Sequence, residues 1–452
     1  MNHWFPQPKH DCSVFEGSYF FQTIIKILAR FQAVSSFNQS RILEVSQGLL
    51  SLLLFFSIFM PQFYFGSIGL SRVDFRGEDL ILPILVILIP LILIQKTPLV
   101  EFPSVEKAFL VFFLIAEVSI LNGLFFRTID KPFLSLLYLI KWLEYFLVFA
   151  ITTRLTVNGR SLDLFLKAFF FLGIMIAIYG YWERFFVASK AAYPDHYRLF
   201  ERFPFHGNAN HIGGLLVFWI CFFIGILINM KHRLNQTGLA AALLFVFFPL
   251  LWTYSRTSYV ALGAPLFCSV FVFSKSRYKI LFFIFLFIFV ALVLPTGVWE
   301  RLTYTATFLT STDPYHSSWA CRLVMWRQAL WNFQHFFLFG SGFGSRHRLY
   351  YESQYVQVLA ETGIVGFISF VFLCSTLVRE FTFFLRQKLA ARDRGMLLGW
   401  LMGFCGLLIH SIFCVSWTVA KIAIPFWFLT GVVLAYLKHH VEISLPILEF
   451  KH

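Results

Sequence analysis

Long uncharged runs alternate with short polar loops along most of this chain. Apolar runs of spanning length lie near residues 47–65, 79–95, 107–125, 134–152, 164–182, 211–230, 238–254, 257–275, 279–297, 355–378, 396–415 and 420–437. Each is close to the ~20 residues that carry a helix across a hydrocarbon core ~30 Å thick. The runs are continuous instead of alternating. That predicts helices, not the strands of a barrel, because in lipid the backbone polar groups must be satisfied within the segment. The pattern therefore predicts an all-α, polytopic integral membrane protein of about twelve transmembrane helices. Residues 1–46 form an N-terminal segment, 47–437 a single membrane domain and 438–452 a tail.

Two loops break the rhythm, 183–210 and 298–353. The larger lies between predicted helices nine and ten. It is partly helical, since residues 319–336 contain neither Gly nor Pro and extend over several turns. The glycine-rich stretch Gly340-Ser341-Gly342-Phe343-Gly344 then predicts a tight turn.

Charge orients the bundle. Lys9, Lys26, Arg30 and Arg41 precede the first run. Arg154 and Arg160, Lys231 and Arg233, and the group Arg379, Arg386, Lys388, Arg392 and Arg394 fall in loops of the same parity. Basic residues in short loops mark the cytoplasmic face, so both termini are expected inside and the two long loops outside. The first apolar run is the expected targeting signal, since no cleavable leader is apparent.

Composition agrees with a lipid solvent. Of 452 residues 58% are hydrophobic and 13% charged, and 61 are phenylalanine. A soluble protein of this size cannot hide that much apolar surface. The net charge of +14 is spread over loops where the positive-inside rule accounts for it, so a nucleic-acid partner is not indicated. Of seven cysteines only Cys321 falls in an outer loop, which excludes an outer disulfide framework. No CxxC, HExxH or clustered spacing points to a metal, and no cofactor is expected. The lone histidines 206, 211, 316, 335 and 347 at the outer loops lack ligand spacing.

The candidate chemistry lies in the outer arginines. Arg256, in Ser255-Arg256-Thr257-Ser258, stands between two apolar runs with almost no loop. A cation there reaches the headgroup level or lines a cavity. Arg322 and Trp326 are four residues apart and share a helical face, whereas Arg327 points elsewhere. This helix reads either as a surface element with snorkelling arginines or as part of a site. Guanidinium groups suit phosphate, because the planar fork binds oxygens in pairs and keeps its charge. Glu352 follows the cluster and is expected at the interface. Glu361 lies nine residues later, on the opposite helical face, and either carboxylate serves structure or general-base chemistry on a sugar hydroxyl. The glycine-rich turn is not a nucleotide P-loop, since no Lys-Ser/Thr follows it.

Three separated segments carry a resemblance. Ser255-Arg256-Thr257-Ser258-Tyr259, then Arg322 and Trp326 followed by the Gly340–Gly344 turn, then Tyr355 through Gly366 with Glu361-Thr362-Gly363, resemble the O-antigen ligase/polymerase superfamily. Gly207 to Asn210 matches its Gly-then-Asn signature more weakly. The resemblance covers about half the chain, from the sixth helix on. It implies a glycosyltransferase of the bacterial inner membrane that acts at the periplasmic face. The donor would be a polyprenyl-pyrophosphate-linked glycan and the acceptor a glycan or the lipid A core, both presented among membrane lipids. Arg256 and Arg322 carry over as diphosphate-binding residues. Arg327, Trp326, Asn210, Tyr355 and His347 are candidates for binding substrate, and Glu352 for the catalytic base. Ligases carry His-Asn where this chain has Glu352-Ser353, with His347 five residues earlier, which favours the polymerase reading over the ligase. A transporter or flippase of lipid-linked oligosaccharide is the rival class. It predicts charged or broken helices at the bilayer midplane and a repeat between halves, whereas here the polar residues gather at the outer face. A scaffold predicts tolerance to every arginine substitution.

Overall fold

A computed structural model describes residues 39–60, 63–68, 71–75, 79, 83–87, 102–156, 158–188, 197–202, 209–230, 233–273, 318–345 and 351–444. Among these residues the long elements are α1 (Gln39–Phe59), the strands β1 (Phe63–Ile68) and β2 (Ser71–Phe75), α2 (Pro103–Phe125), α3 (Pro132–Leu155), α4 (Gly159–Trp182), α5 (Ala209–Asn229), α6 (Arg233–Trp252), α7 (Arg256–Phe273), α8 (Ser318–His335), α9 (Gln354–Leu385), α10 (Ala391–His410) and α11 (Ala420–Ser444). A five-residue π-helical stretch, Glu183–Val187, continues α4.

Eight of these helices are long and apolar enough to cross a membrane, so the protein is a multi-pass membrane protein. The expected count of twelve is not shown: α7 and α10 lie on two of the predicted runs but are not among the eight. The run at 279–297 and most of that at 79–95 lie outside the described residues, as do residues 1–38 and the tail beyond Ser444. One expectation needs correction. The first apolar run does not stay helical to residue 65: α1 stops at Phe59, just before Pro61, and an antiparallel hairpin pairs Phe63 with Phe75. Aromatic and β-branched residues here favour strand, and proline cannot continue the helix.

Local signals start several helices. Pro103 and Pro132 open α2 and α3, where a missing N–H costs nothing. Asn158 and Ser161 form a reciprocal capping box at α4. Leu110, Leu114, Val118, Leu121 and Phe125 are exposed on α2, while Val105, Phe109, Phe112 and Ala116 are buried. Helical periodicity thus separates a lipid-facing side from a packed one.

The core centres on α11, which is buried throughout its apolar span and packs against α3, α5 and α4. Trp427 sits there, with its ring against Phe109 and Phe149. The closest pairing joins α10 to α5. Gly395, Gly399 and Gly403 recur every fourth residue, and a Cβ on Gly225 would lie 2.3 Å from the Gly399 Cα. Small residues at this spacing let two backbones touch, the usual way helices associate in lipid.

The bundle has two distinct ends. At one, Gln47 donates to the Leu155 carbonyl at 2.9 Å, Arg392 pairs with Asp163, and Lys438 lies over the Phe102 ring. The turns after α2, α6 and α10, together with 336–345 and 351–353, gather at the other.

Candidate active site

The site end is organised by a corner in α9. Gly363 has φ 66° and ψ −166°, which breaks the helix into two pieces. Tyr355 and Phe370 nevertheless meet ring to ring, with centroids 6.4 Å apart. Fifteen residues of unbroken helix would separate them by about 22 Å. The segment Gln354–Thr362 therefore folds back along Ile364–Leu385. Glu352 is carried about 10 Å below the corner, since Phe370 lies two turns past Gly363.

The glycine-rich turn is what holds the corner. Gly340, Gly342 and Gly344 have φ of 72°, 107° and 84°, a region that side chains disfavour. A Cβ on Gly340 would lie 2.3 Å from the Glu361 carbonyl carbon. This close approach lets Ser341 N–H donate to the Ala360 carbonyl (2.9 Å) and Gly342 N–H to that of Glu361 (3.0 Å). In return Ile364 N–H donates to the Phe337 carbonyl at 2.9 Å. The buried Glu361 carboxylate accepts from Gly344 N–H at 3.2 Å, and its main-chain carbonyl accepts the Ser119 hydroxyl at 2.6 Å. Of the two candidate carboxylates, Glu361 is the one that satisfies a backbone donor of the turn.

Glu352 is different. Its φ of 46° puts a non-glycine residue in the left-handed region, at a cost of about 1–3 kcal/mol. Its carboxylate lies 2.7 Å from Arg322 Nε, with side chains 30% and 12% exposed. This is a close charge contact, but the buried Nε–H does not meet hydrogen-bond geometry, so its donor capacity is only partly met. Trp326 braces the pair by donating Nε1–H to the Tyr351 carbonyl at 3.1 Å and stacking on Phe413. Behind it, Gln354 N–H donates to the Ser411 carbonyl (3.0 Å), and Trp417 N–H donates to Gln354 Oε1 (3.0 Å). Cys414 is within electrostatic reach of both Glu352 and Arg322.

The other half of the site lies between α5 and α7. Ser255 precedes α7 and receives the Ser258 hydroxyl at 2.8 Å, which places Arg256 in the first helical turn. Arg198 bridges this turn to α5. Its Nε donates to the Thr253 carbonyl at 3.2 Å and its Nη2 to Asn210 Oδ1 at 3.0 Å. The loop bearing Arg198 is fixed by Glu183, which accepts the Tyr197 hydroxyl (2.9 Å) and Phe200 N–H (2.8 Å). Burial and this hydrogen bond push the Tyr197 phenol pKa up.

The structure thus joins Arg322, Trp326 and Glu352, and separately ties Asn210 to the turn before Arg256. The Tyr355 hydroxyl donates to the Leu408 carbonyl at 2.7 Å. Arg327 is exposed, and His347 lies outside the described residues. Sequence reasoning missed Glu183, Gln354, Ser411 and His410. A histidine inside the apolar run 396–415 was the one available signal. Among the described residues, all eight with φ in the left-handed region, Arg127, Phe200, Tyr254, Glu352 and four glycines, lie at this end.

Residues 239–371 match the model of the O-antigen ligase family. This stretch, under a third of the chain, is similar to that family. It runs from α6 into the second piece of α9, and it holds Arg256, Arg322, Trp326, Glu352 and the corner. Asn210 and His410 lie outside it. No curated protein matches the chain.

Proposed function

We propose that the protein is a metal-independent glycosyltransferase of the bacterial inner membrane. It would transfer glycan from a polyprenyl-pyrophosphate carrier to a sugar hydroxyl, extending a polymer at the periplasmic face. The observation that carries this reading is the Arg322–Glu352 contact at 2.7 Å, which puts a phosphate-binding cation beside a carboxylate inside a ligase-family domain.

In this mechanism the acceptor hydroxyl oxygen attacks the anomeric carbon of the donor sugar. The bond from that carbon to the pyrophosphate oxygen breaks, and the polyprenyl pyrophosphate leaves with the electron pair. Arg256 and Arg322 stabilise that charge, which fixed cations in a water-poor site do well. Glu352 takes the hydroxyl proton. In the ligand-free protein Arg322 faces Glu352, so an incoming diphosphate competes for the guanidinium and releases the carboxylate to act as base. Trp326, Arg327 and Asn210 border the path of the substrate.

Both termini are assigned to the cytoplasm, because Arg154, Arg160, Arg392 and Arg394 gather at the end opposite the site. Polymerase is favoured over ligase because Glu352 and Ser353 replace the His-Asn of ligases. The test is a gene deletion read on glycan gels. A single repeat unit on the core supports polymerase, and a bare core supports ligase. Undiminished transfer by Arg256→Ala and Arg322→Ala at normal protein levels would overturn the assignment.

A further inference from the structure

His410 ends α10 and is completely buried. Its Nδ1 is 2.8 Å from the Ser416 hydroxyl. The rest of the ring lies on the first turns of α5. A Cβ on Gly214 would be 2.8 Å from His410 Cε1, and the imidazole faces the main chain of Asn210, one turn before Gly214. The buried Nε2 atom has no hydrogen-bond partner of good geometry among the described residues. Only glycine at 214 leaves room for this ring. A buried imidazole here costs desolvation unless its nitrogens find partners.

The position matters because the two halves of the site meet at this ring. On one side Asn210 Oδ1 accepts from Arg198, which also holds the Thr253 carbonyl just before Arg256. On the other, Ser411, the next residue after His410, accepts Gln354 N–H two residues from Glu352. This chain of contacts links the turn before Arg256 to the segment that carries Glu352.

We propose that His410 is a positioning residue that sets the separation between the Arg256 half and the Arg322–Glu352 half. It touches no substrate. Its neutral ring accepts from Ser416 at Nδ1 and presents Nε2–H to the Asn210 carbonyl. This rests on the glycosyl-transfer reading, in which both halves must reach one diphosphate. A displacement near 1 Å in such a site costs on the order of 10²-fold in rate.

The test compares His410→Leu, His410→Asn and His410→Gln in the purified full chain, with polyprenyl-pyrophosphate-linked oligosaccharide as donor. Asparagine places its amide near the Nδ1 position and glutamine near the Nε2 position. The expected result is a fall in kcat of ~10²-fold for His410→Leu, with donor KM changed less than about threefold. Glutamine restores most of the loss and asparagine does not. Spin labels at the exposed positions Phe186 and Leu330 supply a readout that needs no activity. Their distance distribution should broaden in His410→Leu and narrow again in His410→Gln. The inference is overturned by wild-type kcat in His410→Leu, by equal losses in all three variants that track folded protein, by rescue with asparagine alone, or by an unchanged distance distribution. If Arg256→Ala and Arg322→Ala stay active while the distances respond, the glycosyl-transfer reading fails and the coupling stands.

Discussion

The two ends of the helical bundle are built from different chemistry. At the end holding Leu155 and Asp163, turns are short and their signals ordinary: an Asn158 capping box and the ion pair Arg392–Asp163, whose side chains are each 49% exposed. At the other end every left-handed residue in the described structure accumulates, glycine or not. Buried polar groups there are joined over long sequence separations, as when Ser119 donates to Glu361 or Gln354 to Ser411. Strained backbone persists only where its surroundings over-determine it. One end thus closes the bundle, and the other holds side chains in place against their local preference.

The largest effect expected from this contrast comes from the corner. Gly363→Ala forces a Cβ to about 2.4 Å from the Leu338 carbonyl oxygen at a φ of 66°. It should lower stability by roughly 3–5 kcal/mol and lose most folded protein, read by thermal unfolding in detergent. A variant that melts like the wild type would show that the corner is not what holds the site.

Next come the reacting groups. Glu352→Gln and Arg322→Ala should each cut transfer by about 10²–10³-fold while the melting temperature moves little. Steady-state rates on the lipid-linked donor check this, and retention of more than a third of the activity would remove Glu352 from the base role. The other carboxylate should behave oppositely. Glu361→Gln weakens the acceptor for Gly344 N–H and should cost about 1–2 kcal/mol, with activity per folded molecule preserved. Parallel measurements of unfolding and rate separate the two glutamates, and a catalytic defect in Glu361→Gln without destabilisation would reverse their roles. The smallest effect belongs to the plain end. Arg392→Ala breaks a solvated pair and should change stability by about 0–1 kcal/mol and leave turnover unaltered. A large defect there would undo the contrast between the ends.

Much of this was legible in the residues. The apolar runs located the described spanning helices, with ends displaced by up to eight residues at α1, and 319–336 was readable as the helix found at Ser318–His335. The hairpin at 63–75 was not, because its aromatic residues continue an apolar run. Arg322 and Glu352 could be placed near one another as neighbours of a common loop. Their contact depends on Gly363, which folds thirty residues of apparent helix into a hairpin and brings Tyr355 beside Phe370. Tyr355 became a candidate through the family resemblance alone, and the fold-back is what hands its hydroxyl to Leu408. His410 gave almost no signal, since one histidine inside an apolar run has no spacing to read.

The sequence by itself determined that lipid is the solvent and that helices cross it, because hydrophobic run length is a local property. It also carried the ligase-family segments, now matched over residues 239–371. Only the tertiary structure decided which glutamate supports the backbone and which faces an arginine. It alone showed that the glycine-rich turn docks on α9 and that α5 and α10 approach through glycines to put His410 beside Asn210. These are contacts between residues tens to hundreds of positions apart. They follow from the close packing of whole helices, which no local pattern along the chain encodes.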